Sequence, residues 1–371
     1  MKSFITGWLL LISCTVHATD IYIGTIKSTG IFHTELNALT GALTPFQQVA
    51  TIKNPSFLAL DSKNNRLFAA ADNRPTGEIV AYQIAPNAQL TEINRQPLNA
   101  QRPCHISVDA QNRTLLTANY REGSIESFHI QPDGTLSTAA SHHQHTGNGS
   151  HPTRQKKPHA HAIIAHPSQP FVYAADLGAN ALFSYRLNPD SAQLTPLKKI
   201  VLSTAASGPR HMKWDRNGNR LFVLNELDIS LTVFQFNPDG SLTEQANIPA
   251  LPSGTDLSDL TAAEIHLHPH LPLIYCSIRD KTNQQRDALS LFRFTPDTID
   301  YQNTHPAHVH FPRNFNIDPT GKWLVIAGQR SQDIAVLQLS ANGTPRLSGH
   351  RYTFPGEPVC IAFHPPSESD N

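Results

Sequence analysis

Arg210, Arg279, Arg313, His161, His211, Glu226 and Glu264 are the residues of this chain best suited to do chemistry together. A neutral imidazole or a carboxylate can take a proton from water. A guanidinium can stabilise a developing oxyanion, or grip a carboxylate or phosphate through two parallel hydrogen bonds. Asn119, at the end of an apolar run, adds a candidate polar contact. The plainer alternatives are concrete: an Arg and a Glu that simply pair, and a strand His that is a satisfied core residue. Other hydrolytic chemistries lack their motifs. No Gly-x-Ser-x-Gly nucleophile elbow occurs, and no His-Glu-x-x-His. His142, His143 and His145, with His151 and His159, could suggest a metal site, and His159 and His161 would share a strand face. No carboxylate or Cys accompanies them at short range, so a solvated His-rich loop is expected, with no metal and no cofactor. Glu264, His266 and His268 also alternate onto one face, but His268 holds a turn position that favours a structural role.

Residues so far apart can meet only if the fold returns the chain repeatedly to one place. From residue 20 onward a unit of about fifty residues recurs. An Asp or His stands in the turn after each apolar strand: Asp61, Asp109, His166, Asp215, His268, Asp318 and His364, spaced by 48, 57, 49, 53, 50 and 46 residues. Six positions later a second apolar strand opens, as at Leu67, Leu115, Val172 and Leu221. A third segment alternates with aromatics, as in LTVFQFNPDG, and its Pro-Asp-Gly turn leads to a short fourth strand. Four short strands per unit describe an all-β propeller of four-stranded blades. The last anchor, His364, lacks a following strand, whereas Ile21–Thr25 reads as a second strand lacking its first. Seven blades therefore close when N-terminal and C-terminal strands share one blade, which also hides their edges.

Antiparallel neighbours put the start of each first strand and the end of each second strand at one rim. Five positions before the anchors stand Ser56, Cys104, His161, Arg210, Ala263, Arg313 and Val359; one position later come Phe57, His105, Ala162, His211, Glu264, Asn314 and Cys360. Ten and eleven positions after the anchors stand Asn119-Tyr120, Asp176-Leu177, Asn225-Glu226, Ile278-Arg279 and Gly328-Gln329. A purely structural repeat would keep equivalent places alike; charged departures at one rim point to a site there.

The strings RQKKPHAHA (154–162), GPRHMKWDRNGNRLFVLNE (208–226), AAEIHLHP (262–269) and PRNFNIDPTGKWLVIAGQ (312–329) resemble the corresponding blades of the bacterial seven-bladed lactonase propellers. That family includes 6-phosphogluconolactonases of the propeller type and is related to carboxymuconate-cyclising enzymes. The resemblance implies a hydrolase that opens a sugar-acid lactone, a small-molecule partner, with activated water and arginine stabilisation. It marks His161, Arg210 and Glu226 as catalytic, with the base either Glu226 or His161. It adds Arg279 or Arg313 to that set, and the rim positions offer His211, Glu264, Arg279, Arg313 and Asn119 as substrate contacts. A muconate-type lactonising enzyme and a non-catalytic binding propeller are the alternatives.

The 29 basic and 29 acidic residues balance, so no nucleic-acid partner is expected. Lys2, the apolar run Phe4–Val16 and the small residues around Val16-His17-Ala18 describe a secretory leader, residues 1–18. The run is too short for a transmembrane span. An exported protein, periplasmic or secreted, is expected, with a lipoprotein anchored through Cys14 as the alternative. Residues 19–366 form the propeller and 367–371 a polar tail. Cys104, Cys276 and Cys360 are too few and too scattered for a disulfide framework. A monomer is favoured.

Overall fold

A computed structural model describes residues 18–73 and 75–365. The remainder of the expected leader, including Cys14, and the polar tail lie outside the described residues. Seven four-stranded antiparallel sheets are arranged as blades, which we number 1–6 from residue 55 to residue 353. Blade 7 joins Glu357–His364 to Ala18–Ile26, Ile31–Asn37 and Gln47–Ala50, with Ile21 opposite Phe363 and Gly24 opposite Cys360. The expected closure by both chain ends is what the ring uses.

The innermost strands are Pro55–Asp61, Pro103–Val108, Ala160–Ala165, Pro209–Trp214, Leu260–Leu267, Pro312–Ile317 and Glu357–His364. Each blade buries both faces, because alternate residues of one strand pack against different neighbours. Ile21 and Ile23 join blade 6 around Trp323, whereas Tyr22 between them joins blade 1 around Leu58 and Leu67. Seven apolar clusters result, one between each pair of neighbouring blades. Burial on both sides explains why second strands such as Phe171–Asp176 read as nearly continuous apolar runs.

The anchor residues close the turns after the inner strands. Asp109 Oδ1 accepts from the amides of Arg113 and Thr114, both at 2.7 Å. The His anchors perform the same task with Nδ1: His166 accepts from Ser168 at 3.1 Å and Gln169 at 3.0 Å. Their other nitrogen reaches the next blade, His166 Nε2 donating to Gly218 O at 2.9 Å and His268 Nε2 to Gly321 O at 3.0 Å. Asp and His alternate freely at this position because both present an acceptor to the turn.

One feature of the inner strands was not visible in the period-two pattern. Their pairing slips by one residue at the same rim in every blade, at Pro55/Phe57, Pro103/His105, Ala160/Ala162, Pro209/His211, Ala262/Ile265 and Pro312/Asn314, and at Gly24/Thr25 where blade 7 closes. The extra residue of five bulges is Ser56, Cys104, His161, Arg210 or Arg313. A bulge leaves its residue outside the ladder and re-aims its side chain, and Ser56, Cys104, His161 and Arg313 are brought to the channel mouth in this way.

Candidate active site

The bulges surround a cavity of about 630 Å³ at the channel mouth. Lys27, Arg102, Arg154, Arg279, Lys281, Arg313 and Arg330 line it against three carboxylates, those of Asp72, Glu226 and Glu357. A chain with no net charge thus concentrates cations at one opening, which favours an anionic or oxyanion-forming ligand there.

Glu226 is the hub. It follows the second strand of blade 4, Arg220–Asn225, and its amide is tied to Gly208 O at 2.8 Å. Its Oε1 accepts from Arg154 Nη2 at 2.7 Å, and its Oε2 from Arg210 Nε at 3.0 Å. Arg279 Nη2 lies 3.1 Å from the same Oε2. Burial works against the charged form, but the Arg279, Arg210 and Arg154 guanidiniums outweigh it and hold the carboxyl well below its usual range. Arg210 is fully buried beneath the cavity and also donates to Ala263 O of blade 5. Arg279 donates to Ala262 O at 2.9 Å and stacks over Phe311 at 5.0 Å. Burial brings its pKa down to about 9, which leaves it charged at neutral pH.

His161 Nε2 lies 3.8 Å from Glu226 Oε2 and Nδ1 lies 3.8 Å from Cys104 Sγ. Burial, then the Arg210 charge, drive its pKa well below 6.5, so it is a neutral imidazole at neutral pH. Burial pushes the Cys104 thiol up to about 12; it stays protonated and is a poor nucleophile. Arg313 lines the cavity with no carboxylate partner among the described residues. Burial, then repulsion from Arg210, lowers its pKa.

His161, Glu226, Arg279 and Arg313 therefore line one cavity, and Arg210 supports it from below. His211 and Glu264 pair further down the channel, His211 Nδ1 donating to Glu264 Oε1 at 2.9 Å while Asn314 Nδ2 donates to Oε2. His211 Nε2 is buried without a hydrogen-bond partner among the described residues. Neither residue lines the cavity. Asn119 is also elsewhere: strand alternation turns it into blade 2, where it bonds Ser124 Oγ and Glu126 Oε1, both at 3.3 Å. Its neighbour Tyr120 lines the cavity instead and receives Arg154 Nη2 at 3.1 Å.

Arg154, Tyr120 and Phe311 line the cavity in addition to the expected site residues. Arg154 had a signal: the anchor step of 57 residues from Asp109 to His166 exceeds all others and marks the insertion that carries it. The same insertion corrects the expected solvated His-rich loop. His145 is buried, with its ring stacked on Phe183 at 3.8 Å, and His159 stacks on Tyr120 at 4.6 Å.

Known proteins share this chain's architecture. The family model described as "Lactonase, 7-bladed beta-propeller" matches residues 20–363. A 6-phosphogluconolactonase of Bacillus subtilis is 30% identical over 351 residues, 92% of this chain and 97% of its own. A Bacteroides fragilis crystal structure superposes with a TM-score of 0.85 at 26% identity, covering 95% of this chain and 99% of that one. The Pseudomonas aeruginosa periplasmic gluconolactonase shares the fold with a TM-score of 0.86 at 23% identity, covering 94% and 99%.

Proposed function

Because this chain belongs to the seven-bladed β-propeller lactonase family, we propose that it opens a sugar-acid lactone with water at the Glu226 cavity. The observation that carries the reading is the Glu226 carboxylate shared by three guanidiniums beside a neutral His161. Both oxygens of Glu226 are engaged by arginines, which weakens it as a proton acceptor. His161 Nε2 has no partner nearer than the 3.8 Å to Glu226, so in the tautomer protonated at Nδ1 its lone pair is free to meet a water. We therefore assign the general base to His161.

In this reading His161 takes a proton from water as the water oxygen bonds the lactone carbonyl carbon. Glu226 stabilises the imidazolium that forms. Arg313, with no carboxylate of its own, meets the carbonyl oxygen as it gains charge, and Arg154 and Arg279 hold the polar groups of the sugar acid. The ring C–O bond then breaks, and the imidazolium returns its proton to the departing alkoxide.

The test is pH-stat hydrolysis of glucono-δ-lactone and its 6-phosphate, with the spontaneous rate subtracted. Wild type is expected to exceed background on at least one of the two. His161→Gln should lose about 10²–10⁴-fold in kcat, and Arg313→Ala about 10²–10³-fold, both with unchanged circular dichroism. Absence of turnover of either lactone by folded wild type, or full activity in His161→Gln, would overturn the reading.

Residues 1–18 are proposed to export the protein, on the strength of the positive start, apolar run and small-residue exit. Among the described residues, no helix is long and apolar enough to cross a membrane. The mature protein should begin at Thr19 in the exported fraction. An intact Met1 terminus in the cytosol would refute this, and a lipid-modified Cys14 would select the anchored form.

A further inference from the structure

The insertion between blades 2 and 3, residues 145–159, begins and ends on a single buried carboxylate. Asp176 terminates the second strand of blade 3, Phe171–Asp176, and is completely buried. Its Oδ2 accepts from His145 Nδ1 at 2.8 Å, at the start of the insertion. Its Oδ1 accepts from the His159 amide at 2.7 Å, at the end, and from the Ala179 amide at 2.8 Å. His145 Nε2 in turn accepts from Tyr185 Oη at 2.9 Å. Between these ends the buried Gln155 donates to Leu177 O at 2.8 Å and accepts from the His151 amide at 3.0 Å. The segment lies so close to blade 3 that a Cβ on Gly178 would come within 1.9 Å of Lys157 O.

From the clasped end a short path leads to the site. The His159 ring stacks on Tyr120, and its Nδ1 donates to Tyr120 O at 2.9 Å. Tyr120 Oη meets Arg154 Nη2 at 3.1 Å, and that same nitrogen donates to Glu226 at 2.7 Å. Arg154 is the one guanidinium on Glu226 carried by a loop instead of a blade, so its position depends on how that loop is held.

We propose that Asp176 is a positioning residue: its two carboxylate oxygens close the 145–159 strap and thereby fix Arg154 on Glu226. A loop closed at both ends onto one rigid strand loses the freedom that would otherwise let a long arginine swing away. The histidine-rich composition of the segment is used for this clasp. The inference rests on the reading of the Glu226 cavity as the active site, and its test separates the two.

Asp176→Ala removes all three carboxylate contacts. It is expected to lower kcat/KM about tenfold or more, to the level of Arg154→Ala. In an Arg154→Ala background the same change should cost almost nothing further, because the two act through one contact. Asp176→Asn should recover most of the loss, since His145 in its other tautomer can accept from the new amide. Hydrogen–deuterium exchange is expected to rise at least about tenfold within 145–159 in Asp176→Ala, with the other blades unchanged. If Asp176→Ala does not fold, His145→Phe, which keeps the stack on Phe183, carries the same expectations. Equal losses in both backgrounds, or an unchanged exchange rate in the strap, would overturn the proposal. If wild type opens no lactone, the lactonase reading falls, and exchange alone decides the clasp.

Discussion

Glu226→Gln is expected to reduce lactone opening by about 10²-fold or more and to destabilise the fold by about 3–5 kcal/mol. The substitution is nearly isosteric, so the effect is electrostatic. Arg154, Arg210 and Arg279 all converge on this carboxylate, and Arg210 has almost no access to water. With a neutral amide there, the buried guanidiniums repel one another without compensation. His161 also loses the charge that would stabilise its protonated form. Urea denaturation gives the stability change and single-substrate kinetics the rate. Adding Arg154→Gln to the variant removes one cation and should restore part of the stability but none of the rate. A Glu226→Gln protein with wild-type stability and wild-type kcat/KM would show that the three arginines do not depend on it.

Acid is expected to unfold this protein from an unusually high pH. Burial, then the Lys213 charge, push His105 down to about 3, and burial shifts His161 and His211 the same way. A histidine with its pKa depressed in the folded state contributes stability that is present above the unfolded value. It is lost as pH falls below about 6.5 toward the folded value. By pH 4 the His105 contribution alone costs about 3 kcal/mol, and the other two add to it. That is a large share of the stability of an ordinary domain. The urea midpoint, followed through Trp214 and Trp323 fluorescence, should hold constant from about pH 8 to 6.5 and fall steadily below. Onset near pH 6.5 distinguishes the histidines from carboxylates, whose unfolded values lie near 4. A midpoint unchanged down to pH 5 would refute the expectation.

The propeller was legible because its turns are chemically marked. An Asp or His must accept the amides after each inner strand, so the anchors recur even where the strands between them share little. The ring closure was legible because Ile21–Thr25 and His364 each lacked the partner the other supplied. The rim was found as departures from a repeat, and it does hold His161, Glu226, Arg279 and Arg313. Finer geometry was hidden. Period-two alternation contains no bulge, so nothing indicated that Arg210 would support the cavity while adjacent His211 paired with Glu264 below. The choice between Asn119 and Tyr120 turned on the same alternation one step further along. Arg154 and His145 lay in an insertion with no period, and their partners Glu226 and Asp176 come from other blades or strands.

The shared seventh blade has a consequence for the order of events during synthesis. Lys27 and Glu357, 330 residues apart, form a 2.7 Å ion pair at the cavity edge. Among the described strands, the innermost of that blade is made last and the one it pairs with is made first. Loop-closure entropy makes such a distant pairing slow. The ring should stay open until Glu357–His364 has been made and has paired with Ala18–Ile26. Circular permutants with new ends between blades 3 and 4 would shift that last event to another seam while leaving the finished architecture alone.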